Sequence, residues 1–343
     1  MLATADAAVT TRRMSLPPLF DRLRLPAIGA PLFIVSGPEL VIAQCKAGIV
    51  GSFPALNARP KELLEEWIIT IKTELADYAA KNPGRKVAPF AVNQIAHASN
   101  DRLEHDVEVC VRHQVPIMIT SLRAPADVIA AAHAYGGVVL HDVINLRHAE
   151  KAAGEGVDGL VLVCAGAGGH AGTLSPFALL AEVRRWFKGT IALSGAIANG
   201  AAILAAQAMG ADLAYMGTRF IATREANALP EYKRMLVETA AKDIVYSSLF
   251  TGVHGNYLRP SIVAAGLDPD NLPASDKSKM NFGSGGSSRS KAWRDIWGAG
   301  QGVGSITDVP SVADCVEQLE REYAGAAERL GAITFAGARA AAE

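Results

Sequence analysis

Cysteine is scarce and scattered in this 343-residue chain: Cys45, Cys110, Cys164 and Cys315 form no C-x-x-C pair, and none keeps metal-like spacing with a histidine. That excludes a disulfide framework and a zinc site as organising devices and predicts the reduced thiols of a cytoplasmic protein. Net charge is almost absent as well. Thirty-three lysines and arginines face 34 aspartates and glutamates, with no block of like charge, so neither nucleic acid nor a membrane surface is expected as a partner. Nowhere do about 18 apolar residues run on without charge or turn residues. The N-terminal MLATADAAVTTRRMSL has no apolar stretch long enough for a signal peptide and reads as a frayed tail on a soluble protein. No internal repeat is visible beyond an alternating unit of strand and helix.

Apolar residues, by contrast, are plentiful: half the chain is hydrophobic, enough for a sizeable core. Eight short apolar or β-branched runs recur, each ending in small or polar residues: Pro26 to Ala30, Ile49 to Pro54, Ala88 to Ile95, Ile117 to Ser121, Gly137 to Val143, Gly159 to Ala165, Thr190 to Ala196 and Leu213 to Phe220. Between them lie segments with helical spacing, such as those opening at Pro60, Pro125, Asn145 and Asn199. Near-continuous apolar strands alternating with helices imply a parallel sheet covered on its outer face. Eight of them in about 200 residues predict a (β/α)8 TIM barrel rather than an open doubly wound sheet. The expected division is a barrel over 1–249, then a segment over 250–343 made of a lid or loop and a terminal helix, Val309 to Leu330, packed on the barrel. Phe250 to Gly304 is rich in Gly, Ser, Pro and Asn; its middle, FGSGGSSRSK, has linker composition, whereas its flanks GNYLRP and WRDIWGAGQGVG suit a partly ordered lid.

In such a barrel chemistry concentrates at the C-terminal ends of the strands. Gly195 with Ala196, and Met216, Gly217 and Thr218, stand at the ends of the seventh and eighth runs. Backbone N–H groups and a hydroxyl there suit a phosphate, and tight turns are the plainer alternative. Asn93 ends the third run with an amide that matches the edge of a heterocycle or makes an Asx-turn or helix cap. His141 and Asp142 end the fifth run, where alternation lets only one face inward. His170, in Cys164-Ala-Gly-Ala-Gly-Gly-His-Ala-Gly172, stands on a bare backbone after the sixth run. An imidazole there can take a proton from a carbon acid or donate to a developing anion. The other histidines (His97, His105, His113, His133, His148, His254) read as surface or capping residues.

GAP at 29–31, VNQ at 92–94, AGGHAG at 167–172, LSGAIANG at 193–200, YMGTRF at 215–220 and the late WGAGQGVG together resemble the nitronate monooxygenase family, over nearly the whole chain. The resemblance implies an FMN-dependent TIM barrel that oxidises alkyl nitronates with O2 to carbonyl compounds and nitrite. By position it implies Ala30, Pro31 and Leu32 along the flavin ring, Asn93 and Gly168 at the flavin, Gly195, Ala196, Met216, Gly217 and Thr218 at its phosphate, and His170 as the active-site histidine. Ala196 replaces a second glycine found in some members, and His141-Asp142 stands near where some carry a lysine. The expected partners are a nitronate or nitroalkane and O2, with a homodimer left open. The rival with the same barrel, loops and histidine is an NAD(P)H-dependent reductase of the enoyl-ACP or quinone reductase kind. IMP dehydrogenase-like chemistry needs a nucleophilic cysteine on the loop after the sixth strand, and Cys164 falls inside the end of that strand instead.

Overall fold

A computed structural model describes residues 16–273 and 296–333; the N-terminal tail before Leu16 and the linker-like FGSGGSSRSK stretch lie outside the described residues. Eight strands form one parallel ring: β1 (Ala27–Gly29), β2 (Gly51–Pro54), β3 (Phe90–Ile95), β4 (Ile117–Ser121), β5 (Val138–Val143), β6 (Gly159–Val163), β8 (Thr190–Ser194) and β9 (Leu213–Met216). Their order is β1-β9-β8-β6-β5-β4-β3-β2, and a parallel bridge between Ile28 and Val50 joins the two ends. The expected (β/α)8 barrel is therefore present.

Strand alternation builds its two cores. Ile28, Val50, Ala91, Ile117, Ile119, Leu140, Val161, Ala192 and Tyr215 fill the interior, with Phe20 of the short 3-10 helix Pro18–Arg22 in the same cluster. Their neighbours Val92, Met118, Val139, Leu160, Leu162 and Ile191 face the surrounding helices. Asn145 and Asn199 cap the helices that follow β5 and β8, accepting from the N–H groups of His148 at 2.9 Å and Ala202 at 2.8 Å. No described helix is long and apolar enough to cross a membrane.

The first strand stops one residue early, at Gly29, and three others stop two or more residues short of expectation, each for a backbone reason. The sixth ends at Val163, ahead of the turn that begins at Cys164. The seventh stops at Ser194, because Gly195 (φ 142°) and Ala196 (φ 57°) leave the extended region. The eighth stops at Met216, since Thr218–Ile221 coils into a helical turn that keeps Phe220 out of the sheet.

The expected long loop after Phe250 is more regular than its composition suggests. A second, antiparallel sheet lies over the barrel rim in the order β10-β11-β7, from β7 (Gly169–His170), β10 (Ile244–Ser247) and β11 (Gly255–Leu258). Tyr257 also bridges Gly298, and Trp297 stacks on Tyr232 with centroids 4.9 Å apart. The last helix, Val312–Ala332, lies against Gly200, where a Cβ would sit only 2.0 Å from the Leu319 carbonyl oxygen. Glycine there is what lets the two backbones meet.

Candidate active site

The C-terminal mouth of the barrel has one side made of backbone and one made of side chains. On the backbone side, Ala30 N–H donates to Met216 O at 2.9 Å, tying the end of β1 to that of β9. Leu32 N–H donates to Ser36 Oγ at 3.0 Å, and Asn57 Nδ2 donates to Leu32 O at 2.9 Å, so the Ala30-Pro31-Leu32 backbone is held from two directions. A Cβ on Gly217 would lie 3.2 Å from Leu32 Cδ2 and 3.7 Å from Ala30 Cβ. The two strand ends thus converge on a residue without a side chain.

Thr218 opens the helical turn, whose first N–H groups have no carbonyl one turn back to bond. Its hydroxyl accepts from Gly300 N–H at 2.9 Å, which leaves its own O–H to donate. Arg219 is buried and commits its guanidinium to Asp308, so backbone and hydroxyl, rather than its charge, face the turn. Ala196 N–H donates to Gly166 O at 3.2 Å, and Gln301 N–H donates to the same oxygen at 2.8 Å. Gly168 is small for a reason internal to the protein: a Cβ there would stand 2.7 Å from Gly300 N and 3.1 Å from Thr218 Oγ1.

His170 occupies the edge strand of the rim sheet, its backbone paired with Gly255 while Gly169 pairs with Asn256. Ala171 N–H donates to His254 O at 3.2 Å, Tyr246 O–H donates to Ala171 O at 2.9 Å, and Asn256 Nδ2 donates to Ala167 O at 2.6 Å, so the glycine-rich stretch is pinned. His170 Nε2 lies 3.0 Å from Thr251 Oγ1. The ring keeps some solvent contact, yet dense surroundings disfavour imidazolium and lower its pKa to about 4. It is neutral at pH 7.

Opposite, a directed chain of hydrogen bonds crosses β3, β4 and β5. Asn93 Nδ2 donates both to Ile119 O at 3.1 Å and to Ser121 Oγ at 2.8 Å, and Ser121 Oγ donates to Asp142 Oδ2 at 2.7 Å. Asn93 therefore makes neither an Asx-turn nor a helix cap; with both amide hydrogens engaged, it has only its Oδ1 left, as an acceptor. Burial raises the Asp142 carboxyl to about 6 against the lowering effect of Ser121. Asp142 Oδ1 and the Tyr215 hydroxyl are buried with no hydrogen-bond partner among the described residues, and burial together with Asp142 pushes the Tyr215 phenol well above its ordinary value. The choice between His141 and Asp142 falls to alternation: Asp142 joins the inner layer, while His141 pairs with Thr120 Oγ1 at 2.8 Å in the buried outer layer.

Sequence reasoning had assigned nothing to Ser121, Thr251, Tyr215 or Gly300. Ser121 and Tyr215 carried a weak signal, as polar groups on strands whose alternation points them inward. Thr251 and Gly300 carried none, because their roles depend on chain folding back from far downstream. Three other histidines pair with carboxylates: His113 with Glu65, His133 with Asp158 and His105 with Asp106. Cys164 is buried and its thiol is raised to about 12, the opposite of an activated nucleophile.

Converging small residues, the first amides of a turn, a hydroxyl with its proton available and partnerless polar atoms beneath fit a flat cofactor ending in a phosphate. The model of one protein family, described as nitronate monooxygenase, matches residues 25–322. The chain belongs to the nitronate monooxygenase family. Membership makes it a flavin-dependent oxidoreductase acting on a small molecule. It is 27% identical to a nitronate monooxygenase of Paraburkholderia phytofirmans, across 93% of this chain and 98% of that one. Among solved structures, a nitroalkane oxidase from Streptomyces ansochromogenes superposes with a TM-score of 0.77 at 23% identity, covering 92% of this chain and all of that one. FabK from Thermotoga maritima gives 0.72 at 23% identity over 92% of this chain and 98% of its own. At such identities both likenesses speak for the fold alone.

Proposed function

We propose that the protein uses FMN to oxidise alkyl nitronates, or the nitroalkanes they derive from, with O2 to carbonyl compounds and nitrite, with His170 as the residue that meets the substrate. The observation that carries this reading is a backbone-pinned imidazole on the rim, two residues along from Gly168, which packs against Gly300 and Thr218. When bound, FMN supplies the electron transfer and the reaction with O2.

The chain's own residues divide the remaining work. The turn at Gly217 and Thr218 receives the phosphate through its N–H groups and the Thr218 O–H, while Gly195 and Ala196, whose own N–H is bonded to Gly166, line it with small residues. Met216 sets the height of that turn through its bond to Ala30, and Ala30, Pro31 and Leu32 lie along the ring. Asn93 accepts from a ring N–H through Oδ1. Gly168 keeps the backbone thin next to His170. The neutral imidazole takes the α-proton of a nitroalkane, or stands against the nitro group of a substrate that arrives as the anion.

Substrate-dependent O2 uptake with stoichiometric nitrite release, measured over nitronates of increasing length, tests the reading. Anaerobic mixing separates it from its rival: bleaching of the flavin by a nitronate and not by NADH or NADPH is the expected result. Rapid bleaching by a nicotinamide, without nitrite production, overturns it in favour of a reductase.

A further inference from the structure

We infer that Asp142 opposes reduction of the flavin: its carboxylate stands without a counter-ion in the floor of the mouth, linked through Ser121 to Asn93, and holds the reduction potential of the bound cofactor down. The inference rests on the FMN site proposed above and adds to it the residue that tunes the cofactor.

Asp142 is the penultimate residue of β5, and alternation turns it into the barrel. Its Oδ2 accepts from Ser121 Oγ at 2.7 Å, and Ser121 Oγ accepts from Asn93 Nδ2 at 2.8 Å. The carboxylate is thus two hydrogen bonds from the amide whose Oδ1 is left for the cofactor. On the other side its charge bears on the Tyr215 phenol, which burial and Asp142 together push well above its ordinary value. Tyr215 precedes Met216, whose carbonyl holds Ala30 at the end of β1. One carboxylate therefore lies between the two walls assigned to the ring.

No cation balances it. Among the described residues Asp142 enters no ion pair; burial and the Ser121 hydrogen bond are what act on it. Arg219 is committed to Asp308, and the adjacent His141 is neutral, its pKa lowered to about 4 by burial. Oδ1 has no hydrogen-bond partner among the described residues, so the charge is not spread onto further donors either. A buried charge without a partner is destabilising, and such a group in a cleft points to a role in the chemistry there. Reduction of an isoalloxazine adds two electrons and, above neutral pH, one proton, which leaves negative charge on its pyrimidine ring. A fixed carboxylate in a site of low dielectric repels that charge, and charge beside the ring is one of the means by which a protein sets the electronics of a flavin.

The test measures the midpoint potential of bound FMN by equilibration with a reference dye during anaerobic reductive titration at pH 8, where Asp142 is ionised. Asp142→Asn is expected to raise the potential by a tenfold change or more in the reduction equilibrium, about 30 mV for a two-electron couple. Asp142→Ala, which removes the same charge, should move it in the same direction and serves if the asparagine variant binds FMN poorly. Ser121→Ala breaks the hydrogen-bond chain and leaves the charge, so it should move the potential far less. An unchanged or lowered potential in the Asp142 variants overturns the inference, as does a rise in Ser121→Ala equal to that in Asp142→Asn. Wild-type protein that binds no FMN refutes the proposed FMN site and this inference with it; FMN bound at a potential that the Asp142 variants do not raise removes the inference alone.

Discussion

The two sides of the barrel mouth solve the same problem with different materials. Around β8, β9 and β1 the described groups that face the mouth are main-chain N–H groups, glycines and the Thr218 hydroxyl, and the guanidinium of Arg219 is committed to Asp308. Around β3, β4, β5 and β7 the work is done by side chains, through Asn93, Ser121, Asp142 and His170. A surface built from backbone cannot be changed by most substitutions and suits an invariant group such as a phosphate. A surface built from side chains can be retuned residue by residue, and suits the part of the reaction that varies with substrate.

If that division is right, the two sides fail differently when mutated. The largest effect is expected on the side-chain half: His170→Asn should lower turnover by at least ~100-fold while flavin content on purification stays at the wild-type level. Loss of the flavin together with the activity would collapse the distinction. Gly217→Val should do the reverse. Its branched side chain has Leu32 at 3.2 Å already, so FMN affinity, read by fluorescence quenching on titration, should fall by ~10-fold or more. Thr218→Val removes one hydroxyl donor and leaves Gly300 N–H without its acceptor; a loss of roughly tenfold in FMN Kd, about 1.4 kcal/mol, is expected in the same titration.

Asp142 sharpens the comparison through pH. Its carboxyl titrates near 6 in the fold against 3.8 in the unfolded chain, so between those values the folded state holds more protons. Its contribution to stability therefore declines as pH rises from about 4 to 6 and is flat above. His141 and His170, lowered to about 4 from 6.5, act with the opposite sign and favour the fold as pH rises from 4 to 6.5. The difference between Asp142→Asn and wild type isolates the carboxyl: the variant should gain relative stability, of order 1 kcal/mol, on going from pH 4 to pH 7, as followed by thermal melts. A difference that does not move with pH would place Asp142 in ordinary solvent. The smallest effect belongs to the backbone half. Ala196→Gly relieves a left-handed alanine at φ 57° but adds freedom to the unfolded chain, for a net gain under about 1 kcal/mol and only a slight rise in Tm.

How far the sequence disclosed this site follows the same line. The barrel was legible because β-strand periodicity is local, and Ile117 to Ser121 coincides with β4 residue for residue. The turns at Gly195 and Gly217 were legible because glycine marks unusual backbone, though not that Ala196 would turn its N–H to Gly166. Asn93 was singled out as a polar end to an apolar run, but its two engaged hydrogens depend on Ile119 and Ser121 of the neighbouring strand. The rim sheet was least legible. A two-residue strand at Gly169–His170 has no periodicity to detect, and its partner lies in a stretch whose composition resembles a loop.

That rim sheet has a consequence for how the molecule matures. The ring of eight strands is complete by Met216, and the glycine turns proposed for the phosphate lie at the ends of its last two strands. The register of the histidine, however, is set by Gly255 and its environment by Thr251, brought in from the far side of a long excursion of chain. Closing such a span is entropically the dearer step. The order written into the topology is thus to build the container first and to seat the histidine last, together with Gly300 on the Thr218 turn.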